Sequence, residues 1–435
     1  MSTKSKFLSV FLILTFLGGV AFALPPIHER VMNRVSGLAA LIRYTLYPPE
    51  KVVFVPQSAI ATAVQQTLSS YTPTPLPSPT VVFTPTLPPQ VDSPTPLPTA
   101  TPLPGNINLK GVKYVNQHGA WNYCAPANLA MELNYWGWTG TREDIGKVVK
   151  PFPEDYNVMP YELADYVTSQ TNLKVVLRSG GTLTEIKILL ANGFVVLIEG
   201  GVYFPEATTG RVSWMGHYAV VTGYDNARQE FITQDSYILP TGIDHRVKYD
   251  DLATEWRAFN NIFLVTYPLE KEQKLMAALG DYADEATAER IAAKTASDEI
   301  YKLSGNDQFF AWFNRATSLV QLQDYAGAAT AYDEAFKLYP SLVEDKRPWR
   351  MMWYQTGPYF AYYFMGRYQD VINLASQTID FAANPYLEES FYWRGRAKAA
   401  IGDVEGDVAD QRAAIKYHPG FTPSIEELNR LGVTS

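Results

Sequence analysis

The sequence has few of the residues that form disulfides and metal clusters. Its 435 residues include a single cysteine, Cys124, and five widely spaced histidines. One cysteine forms neither an intrachain disulfide nor a cysteine zinc cluster, and the histidine spacing argues against a histidine metal site. Basic residues are also scarce, with 36 Lys and Arg against 44 Asp and Glu, for a net charge of −8. The composition therefore predicts no metal, no other cofactor and no nucleic-acid partner.

The length predicts several domains, because 435 residues is about three times the usual domain size. Twelve of the 30 prolines fall between Thr72 and Pro104, together with eight threonines. Proline removes backbone donors and the stretch has few large apolar groups, so it cannot build a core. We therefore expect residues 57–105 to be a disordered Pro/Thr linker, acting either as an extended stalk or as a passive spacer.

The N-terminus has the pattern of an export signal. Lys4 and Lys6 precede an uncharged apolar run over residues 7–24, which is about long enough to span a bilayer. The run ends in a small-x-small motif, Ala21-Phe22-Ala23, which suits signal peptidase. Residues 1–24 are therefore either a cleaved signal peptide or an uncleaved signal-anchor, and the length of the run favours the anchor. The remaining chain is then secreted or held on the outer face of the cell membrane.

Residues 25–56 form the next segment, between the apolar run and the linker. Residues 27–47 are mildly amphipathic, with arginines spaced among aliphatic side chains. They are predicted to lie on the membrane surface or to form a juxtamembrane helix.

Residues 106–268 have the pattern of an α+β domain. Helices are predicted over residues 125–136, 141–149, 159–170 and 183–191, the second of them with a Thr-x-x-Asp cap. Strands are predicted over residues 173–177, 194–198, 213–223, 231–234 and 262–267. Helices come first and most strands later, which favours an α+β fold over alternating βαβ units.

Cys124 lies where a helix is predicted to begin. Pro126 suits the first turn of a helix, because its missing N–H has no partner to lose there. The unpaired N–H groups and the positive end of the helix dipole lower the pKa of a thiol and favour the reactive thiolate. Cys124 is therefore a candidate nucleophile, although a lone cysteine is more often an inert buried residue.

His217 and Asp235 are the candidate partners of the thiol. His217 follows Gly216 at the start of a predicted buried strand, and Asp235 directly follows the next strand. In an antiparallel hairpin the start of the first strand lies near the end of the second. Asp235 is thus placed to bind the imidazole and to set its tautomer, as the third member of a triad.

The motifs Cys124-Ala-Pro-Ala, Gly216-His-Tyr-Ala-Val-Val-Thr-Gly-Tyr and Gln234-Asp-Ser resemble the papain-like bacteriocin-processing (double-glycine) peptidase family. The resemblance covers about residues 111–268. It implies a papain-like cysteine peptidase fold, with Cys124 as nucleophile, His217 as general base and Asp235 as orienting residue. It also implies that the side chain of Gln117 and the backbone N–H of Cys124 form an oxyanion hole.

The sequence departs from the family pattern at two positions. Ala125 follows the cysteine where the family commonly has glycine, and Gln117 lies seven residues before Cys124 where six is more usual. The other histidines are not assigned to the site. His118 and His245 are predicted to be surface residues, and His418 is predicted to interact with a helix dipole.

Residues 269–435 resemble tetratricopeptide repeats. The first unit covers residues 312–340, a weaker unit begins at Gly366, and a third covers residues 391–419. Pro340 and Pro419 end equivalent helices, and residues 273–303 are predicted to be a helical cap. Three such units with caps make a small all-α solenoid, whose concave face usually binds a protein partner.

The sequence as a whole predicts an exported, membrane-tethered cysteine peptidase that uses a Cys-His-Asp triad and docks a protein through its repeats. Its substrate would be a peptide or protein. Two alternatives stay open. The chain is a non-catalytic surface binding protein that uses only the repeats, or it is a related acyl-transfer or amidase enzyme with the same triad.

Overall fold

The computed structural model describes residues 25–56, 102–120, 122–206 and 209–434. The predicted export signal at residues 1–24 and most of the predicted linker, residues 57–101, lie outside the described residues. Among the described helices, none is both long and apolar enough to cross a membrane. We call residues 106–268 the sheet domain and residues 269–434 the helical region.

The sheet domain is built on one antiparallel sheet of seven strands. The strands are β1 (Asn106–Asn108), β2 (Lys174–Arg178), β3 (Val196–Pro205), β4 (Val212–Asp225), β5 (Glu230–Gln234), β6 (His245–Lys248) and β7 (Phe263–Tyr267). Their order across the sheet is β2-β7-β3-β4-β5-β6, and β1 pairs with the end of β4. The sheet confirms the predicted mixture of helices and antiparallel strands, whereas β1 and β6 were not predicted from the sequence.

Strand β4 is the central element of the sheet. It pairs with β3 over ten residues, from Val196–Val221 to Pro205–Val212, and with β5 through a hairpin that contains a register shift after Val221. Gly223 lies at this shift, and a Cβ atom there would come within 2.3 Å of the backbone oxygen of Ile107. The missing side chain allows β1 to approach β4 closely enough to pair.

The described α-helices that come before the helical region are α1 (Pro25–Leu46), α2 (Cys124–Tyr135), α3 (Arg142–Val149), α4 (Pro160–Gln170), α5 (Leu183–Ala191) and α6 (Tyr249–Arg257). Helix α3 begins with the predicted cap, in which Thr141 accepts from the N–H of Asp144 while the Asp144 side chain accepts from the N–H of Thr141. Helix α6 was not predicted. Helices α2, α3 and α4 pack on one face of the sheet through buried side chains such as Leu129, Ile145 and Leu163.

The helical region consists of short antiparallel helices: α7 (Glu272–Leu279), α8 (Glu285–Ile300), α9 (Gly305–Gln321), α10 (Tyr325–Leu338), α11 (Met351–Tyr354), α12 (Gly357–Phe364), α13 (Tyr368–Phe381), α14 (Glu388–Ala400), α15 (Val404–Tyr417) and α16 (Thr422–Arg430). The predicted cap at residues 273–303 is two helices, because α7 ends at Gly280, whose φ is +52°. Helices α9 and α10 form the first predicted repeat, and Ala316, Ala328 and Ala335 are fully buried between them.

The sheet domain and the helical region share a hydrophobic core. Trp214 and Phe259 of the sheet domain stack with ring centroids 5.7 Å apart, and Trp214 also stacks on Phe310 of α9 at 6.0 Å. Buried Arg350 reaches back from the helical region and donates to the Trp214 carbonyl at 2.9 Å and to the Ser213 hydroxyl. The repeat helices therefore use part of their surface to hold the sheet domain.

Helix α1 packs on the helical region. Ala40 and Tyr44 are buried. The Tyr44 ring meets Trp349 edge-on at 5.5 Å, and its hydroxyl accepts from the N–H of Ala383 at 3.2 Å. The opposite face of the helix carries exposed aliphatic side chains.

Candidate active site

Cys124 is the first residue of α2, as the sequence predicts. The residue before it, Tyr123, provides no side-chain cap, so the N–H groups of the first turn are not occupied by a capping side chain. The thiol is half-buried. It lies beside His217 and Tyr218 of β4, and it accepts a hydrogen bond from the Tyr218 backbone N–H.

His217 and Asp235 come together through the β4–β5 hairpin. Gln234 pairs with Val220, so Asp235 continues alongside the start of β4. The Nε2 atom of His217 lies 2.9 Å from Oδ1 of Asp235, and both side chains are buried. The Asp235 carboxylate also accepts from the N–H of Tyr237 at 2.8 Å. Because Nε2 is bound by the carboxylate, Nδ1 is the ring nitrogen that faces the thiol.

The electrostatics of the three groups favour an ion pair. Burial by itself raises the pKa of Cys124, but the hydrogen bond and charge of His217 outweigh it and lower the pKa of the thiol. Burial lowers the pKa of His217, yet the charge and hydrogen bond of Asp235, with the contact to Cys124, raise it to about 10. The pKa of Asp235 is lowered despite its burial, because His217 is close. These shifts favour a thiolate beside an imidazolium.

Gln117 is held next to the same group of side chains. Its backbone N–H donates to the Ser236 carbonyl at 2.9 Å, and its side-chain Oε1 accepts from the Ser236 hydroxyl at 2.8 Å. With Oε1 occupied in this way, the amide NH₂ is the group left to donate to a ligand. Arg142 supports the loop by donating to the carbonyls of Asn116 and His118.

Two polar residues at the site, Asn128 and Ser236, are not predicted from the sequence. Asn128 is fully buried one turn after Cys124, and its NH₂ group lies 2.9 Å from the Cys124 carbonyl and 2.8 Å from the Tyr218 carbonyl. It also lies 2.8 Å from the Ser236 hydroxyl. The only sequence signal was position: Ser236 adjoins Asp235, and Asn128 is four residues after Cys124.

Aromatic side chains form a wall beside the imidazole. Phe204 meets His217 edge-on at 5.3 Å and stacks on Tyr237 at 4.3 Å. His118, predicted to be a surface residue, is half-buried here, with Nε2 2.8 Å from the Tyr237 carbonyl. His245 lies away from this wall in the edge strand β6.

A glycine-rich strand pair allows the helical region to reach the back of the site. Gly200 and Gly201 of β3 lie opposite His217 and Gly216. A Cβ atom on Gly216 would come within 2.8 Å of the Phe259 ring and 3.2 Å of Tyr354. The Tyr354 ring thus packs against Gly216, so α11 supports the strand directly beside His217.

Comparison with known proteins agrees with the two resemblances seen in the sequence. Residues 109–263 match the model of the Peptidase_C39 like family, and residues 309–342 match the tetratricopeptide repeat model. The predicted resemblance, a peptidase domain of this type followed by tetratricopeptide repeats, is therefore confirmed. The chain is a peptidase-like α/β domain joined to a helical repeat region.

Two solved structures are similar to part of the chain. One is a C39-like peptidase from Bacillus anthracis, with 17% sequence identity, a TM-score of 0.31, and coverage of 37% of this chain and 97% of that one. The other is xylellain, a cysteine protease from Xylella fastidiosa, with 14% identity, a TM-score of 0.30, and coverage of 39% and 87%. No curated protein matches the chain.

Proposed function

We propose that the protein is a cysteine peptidase in which Cys124 is the nucleophile, His217 the general base and acid, and Asp235 the orienting residue. The observation that carries the proposal is the hydrogen-bonded chain from Asp235 through His217 to the half-buried thiol at the start of α2. Asp235 binds Nε2, which leaves Nδ1 to exchange a proton with Sγ.

The reaction follows from these positions. The Cys124 thiolate attacks a peptide carbonyl carbon, and the oxyanion that forms is stabilised by the amide of Gln117 and the backbone N–H of Cys124. His217 then gives its proton to the leaving amine, and an acyl-enzyme thioester remains. A water molecule, deprotonated by His217, hydrolyses the thioester and restores the thiol.

The reactivity of the thiol tests this assignment without a known substrate. We expect iodoacetamide to label Cys124 well below pH 8.5, because His217 lowers the pKa of the thiol. The chain has no other cysteine, so the label is assigned without ambiguity. Labelling that begins only near pH 8.5, as for an ordinary thiol, would contradict the nucleophile assignment.

The nature of the reaction is tested by product analysis. A peptide library is incubated with the full chain and with Cys124→Ala, and the products are identified by mass spectrometry. New amino termini that depend on Cys124 indicate a peptidase, while crosslinked or ammonia-releasing products indicate an acyl-transfer enzyme or amidase. Identical behaviour of the variant would favour the non-catalytic binding protein.

The helical region is proposed to dock a protein partner or the substrate protein. Its first repeat matches the tetratricopeptide model, and such repeats bind proteins through their surface. The aromatic residues of the second repeat are used for packing, since Trp353, Tyr359 and Tyr362 are buried. The partner would therefore bind elsewhere on the repeats, away from the face that holds the sheet domain.

Export and attachment to the outer face of the membrane are proposed from the sequence of residues 1–24. One further feature supports them. Helix α1 exposes Val35, Leu38 and Ile42, each more than half accessible and spaced along one face. Such a face suits the surface of a bilayer. Cell fractionation with protease added outside intact cells tests both points: the chain should sediment with membranes and be digested.

A further inference from the structure

A cluster of charged side chains lies where the sheet domain meets the helical region. Asp155 and Glu162 come from the sheet domain, and Glu388, Glu389 and His418 come from α14 and the end of α15. We call these five residues the interface cluster. Asp155 is fully buried, Glu388 is 1% exposed and His418 is 8% exposed. His418 thus interacts with carboxylates of both parts of the molecule, and not only with the dipole of its own helix.

Three ligand atoms of the interface cluster converge on one point. The Nδ1 atom of His418 lies 3.0 Å from Oε1 of Glu388 and 3.5 Å from Oδ2 of Asp155. All three ligand atoms lie within 4.8 Å of one another. Ligands bound at 2.0–2.2 Å around a metal ion are roughly 3–3.5 Å apart, so both distances from Nδ1 already fall in this range, and the two carboxylate oxygens approach each other on binding.

Hydrogen bonding leaves carboxylate oxygens of the cluster unsatisfied. The Nδ1 atom of His418 has one hydrogen to donate, and Glu388 is the nearer acceptor. The Asp155 carboxylate accepts from the Asn157 N–H through Oδ1 at 3.3 Å, while its Oδ2 makes no hydrogen bond within the described part of the chain. Oε2 of Glu388 is likewise buried without one. Buried oxygens of this kind are rare without an ion or water.

Charge in the cluster is also unbalanced. Four carboxylates face one imidazole and the ammonium group of Lys150, which donates to the Asp155 carbonyl at 2.8 Å. With these six described groups ionised, their net charge is −2 in a buried place. Buried carboxylates in excess of their neighbouring cations take up protons or bind a cation.

We propose that Asp155, Glu388 and His418 bind one divalent transition-metal ion, of the Zn²⁺ or Mn²⁺ type, which joins the sheet domain to the helical region. An imidazole nitrogen with carboxylate oxygens is a ligand set that these ions accept, whereas Ca²⁺ and Mg²⁺ prefer oxygen alone. His418 binds through Nδ1 and loses its Nδ1 proton on binding. Its Nε2 faces Glu162 at 4.0 Å, in the position of an outer carboxylate that orients a metal-bound histidine.

The ion would also stabilise the segment that supports the nucleophile. Lys150 binds the Asp155 carbonyl and lies 3.4 Å from the carbonyl of Asn122, two residues before Cys124. An ion held by Asp155 therefore fixes one end of a short chain of contacts that reaches the start of α2. Metal binding itself does not depend on the proposed peptidase activity.

The test is a titration of the full chain carrying Cys124→Ala, so that no ion bound by the thiol is counted. After EDTA treatment, Zn²⁺ and Mn²⁺ are added separately, with calorimetry for affinity and elemental mass spectrometry for stoichiometry. We expect one ion per chain, release of protons on binding, and a higher melting temperature. Absence of stoichiometric binding of either ion would overturn the proposal and leave the cluster as a proton-holding site.

Substitution of each of the three proposed ligands tests where the ion binds. Asp155→Asn and Glu388→Gln should each weaken binding at least about tenfold, as should His418→Ala. Glu132→Gln is the matched control, because Glu132 is a fully buried carboxylate in α2 outside the cluster. Equal affinity in the control and in all three cluster variants would place the ion elsewhere and refute the site.

A spectroscopic measurement avoids dependence on the folding of the variants. Co²⁺ added to the chain with an intact cluster should give the visible absorption of a low-coordinate site with nitrogen and oxygen ligands, and Zn²⁺ should displace it. A spectrum equal to that of hydrated Co²⁺ contradicts the proposal. Preference for Ca²⁺ over both transition metals would contradict the role given to His418.

Discussion

At the scale of single residues, Asp235 sets the charge state of the candidate active site. Its carboxylate lies 2.9 Å from Nε2 of His217 in a buried place, where an ion pair is weakly screened. The pKa of the imidazole is therefore raised to about 10, and the pKa of the neighbouring thiol is lowered. The properties of Cys124 thus depend on a residue that does not touch it.

Asp235→Asn is expected to slow alkylation of Cys124 at pH 7 by about tenfold. The amide removes the charge that raises the pKa of His217, so that pKa falls and the thiolate loses its cationic partner. The rate of iodoacetamide labelling between pH 5 and 10 measures the change. Asp225→Asn, in the same hairpin, serves as the control, and unchanged labelling in Asp235→Asn would contradict the assigned role.

Ser236 is a positioning residue, since it fixes the amide of Gln117 and is itself bound by Asn128. Ser236→Ala should lower kcat for peptide cleavage about tenfold, because Gln117 is free to rotate away from the oxyanion. The rate of alkylation should not change, because no oxyanion forms in that reaction. Ser179→Ala, at another buried serine, is the control. If Ser236→Ala lowers the rate of peptide cleavage and the rate of alkylation equally, Ser236 has only a structural role.

At the scale of elements, a close approach between two backbones determines where β1 pairs with β4. The edge strand β1 has only three residues and pairs where Gly223 has no side chain. A three-residue strand gives a weak sequence signal. Its position is decided by the space beside a glycine in another strand.

Gly223→Ala is expected to destabilise the fold by about 1–3 kcal/mol, because the new methyl group meets the backbone oxygen of Ile107. Urea unfolding followed by circular dichroism gives the change in midpoint. Gly105→Ala is a matched control, since a Cβ atom there has nothing within 4 Å. If Gly223→Ala and Gly105→Ala have the same midpoint of urea unfolding, β1 moves away from the new methyl group without loss of stability, and the prediction is wrong.

Glu132 links α2 to β7, with Oε1 accepting from the Thr266 N–H at 2.7 Å. Burial raises the pKa of Glu132 to about 8, although the hydrogen bonds of Thr266 oppose this shift. Because the pKa is raised in the folded state, its stabilising contribution is complete below about pH 4.5 and is lost as pH rises through 8.

Glu132→Gln should therefore become more stable than the unmodified chain as the pH rises. We expect the difference in unfolding free energy to change in favour of the variant by about 2 kcal/mol or more between pH 5 and 9. Thermal denaturation at several pH values measures it. A difference that does not vary with pH would contradict the raised pKa.

At the scale of the whole molecule, the helical region acts as a support for the sheet domain. Arg350 is 4% exposed and forms an ion pair with Glu206, next to its hydrogen bonds to Ser213 and Trp214. Tyr354, four residues later, packs against Gly216 beside His217. The repeat helices and the candidate active site are thus in direct contact through a few residues.

Arg350→Met should destabilise the chain by about 3–5 kcal/mol, because the largely buried Glu206 carboxylate loses its cation and keeps only the hydroxyl groups of Thr209 and Ser213. The double variant with Glu206→Gln should recover part of this loss. Arg412→Met, at an exposed arginine of α15, should stay close to the unmodified chain. Chemical denaturation measures the free energy of unfolding of all three variants. If Arg350→Met loses no more stability than Arg412→Met, the role of Arg350 is contradicted.

The sequence by itself determined the local elements and the order of the reactive residues. Periodicity located α2, α3, α4 and the long strand β4, and the cap at Thr141 was readable because it depends on residues three apart. The resemblance then named Gln117, Cys124, His217 and Asp235 as a set. These features are encoded in short segments or in motifs.

Only the tertiary structure decided what lies around that set. Asn128 bonds to Ser236 across 108 positions of sequence, Tyr354 packs against Gly216, and the interface cluster joins residues more than 200 positions apart. The histidine spacing argued against a metal site, yet folding places His418 beside Asp155 and Glu388. Contacts of this kind depend on how helices pack on a sheet, which no local pattern of residues specifies.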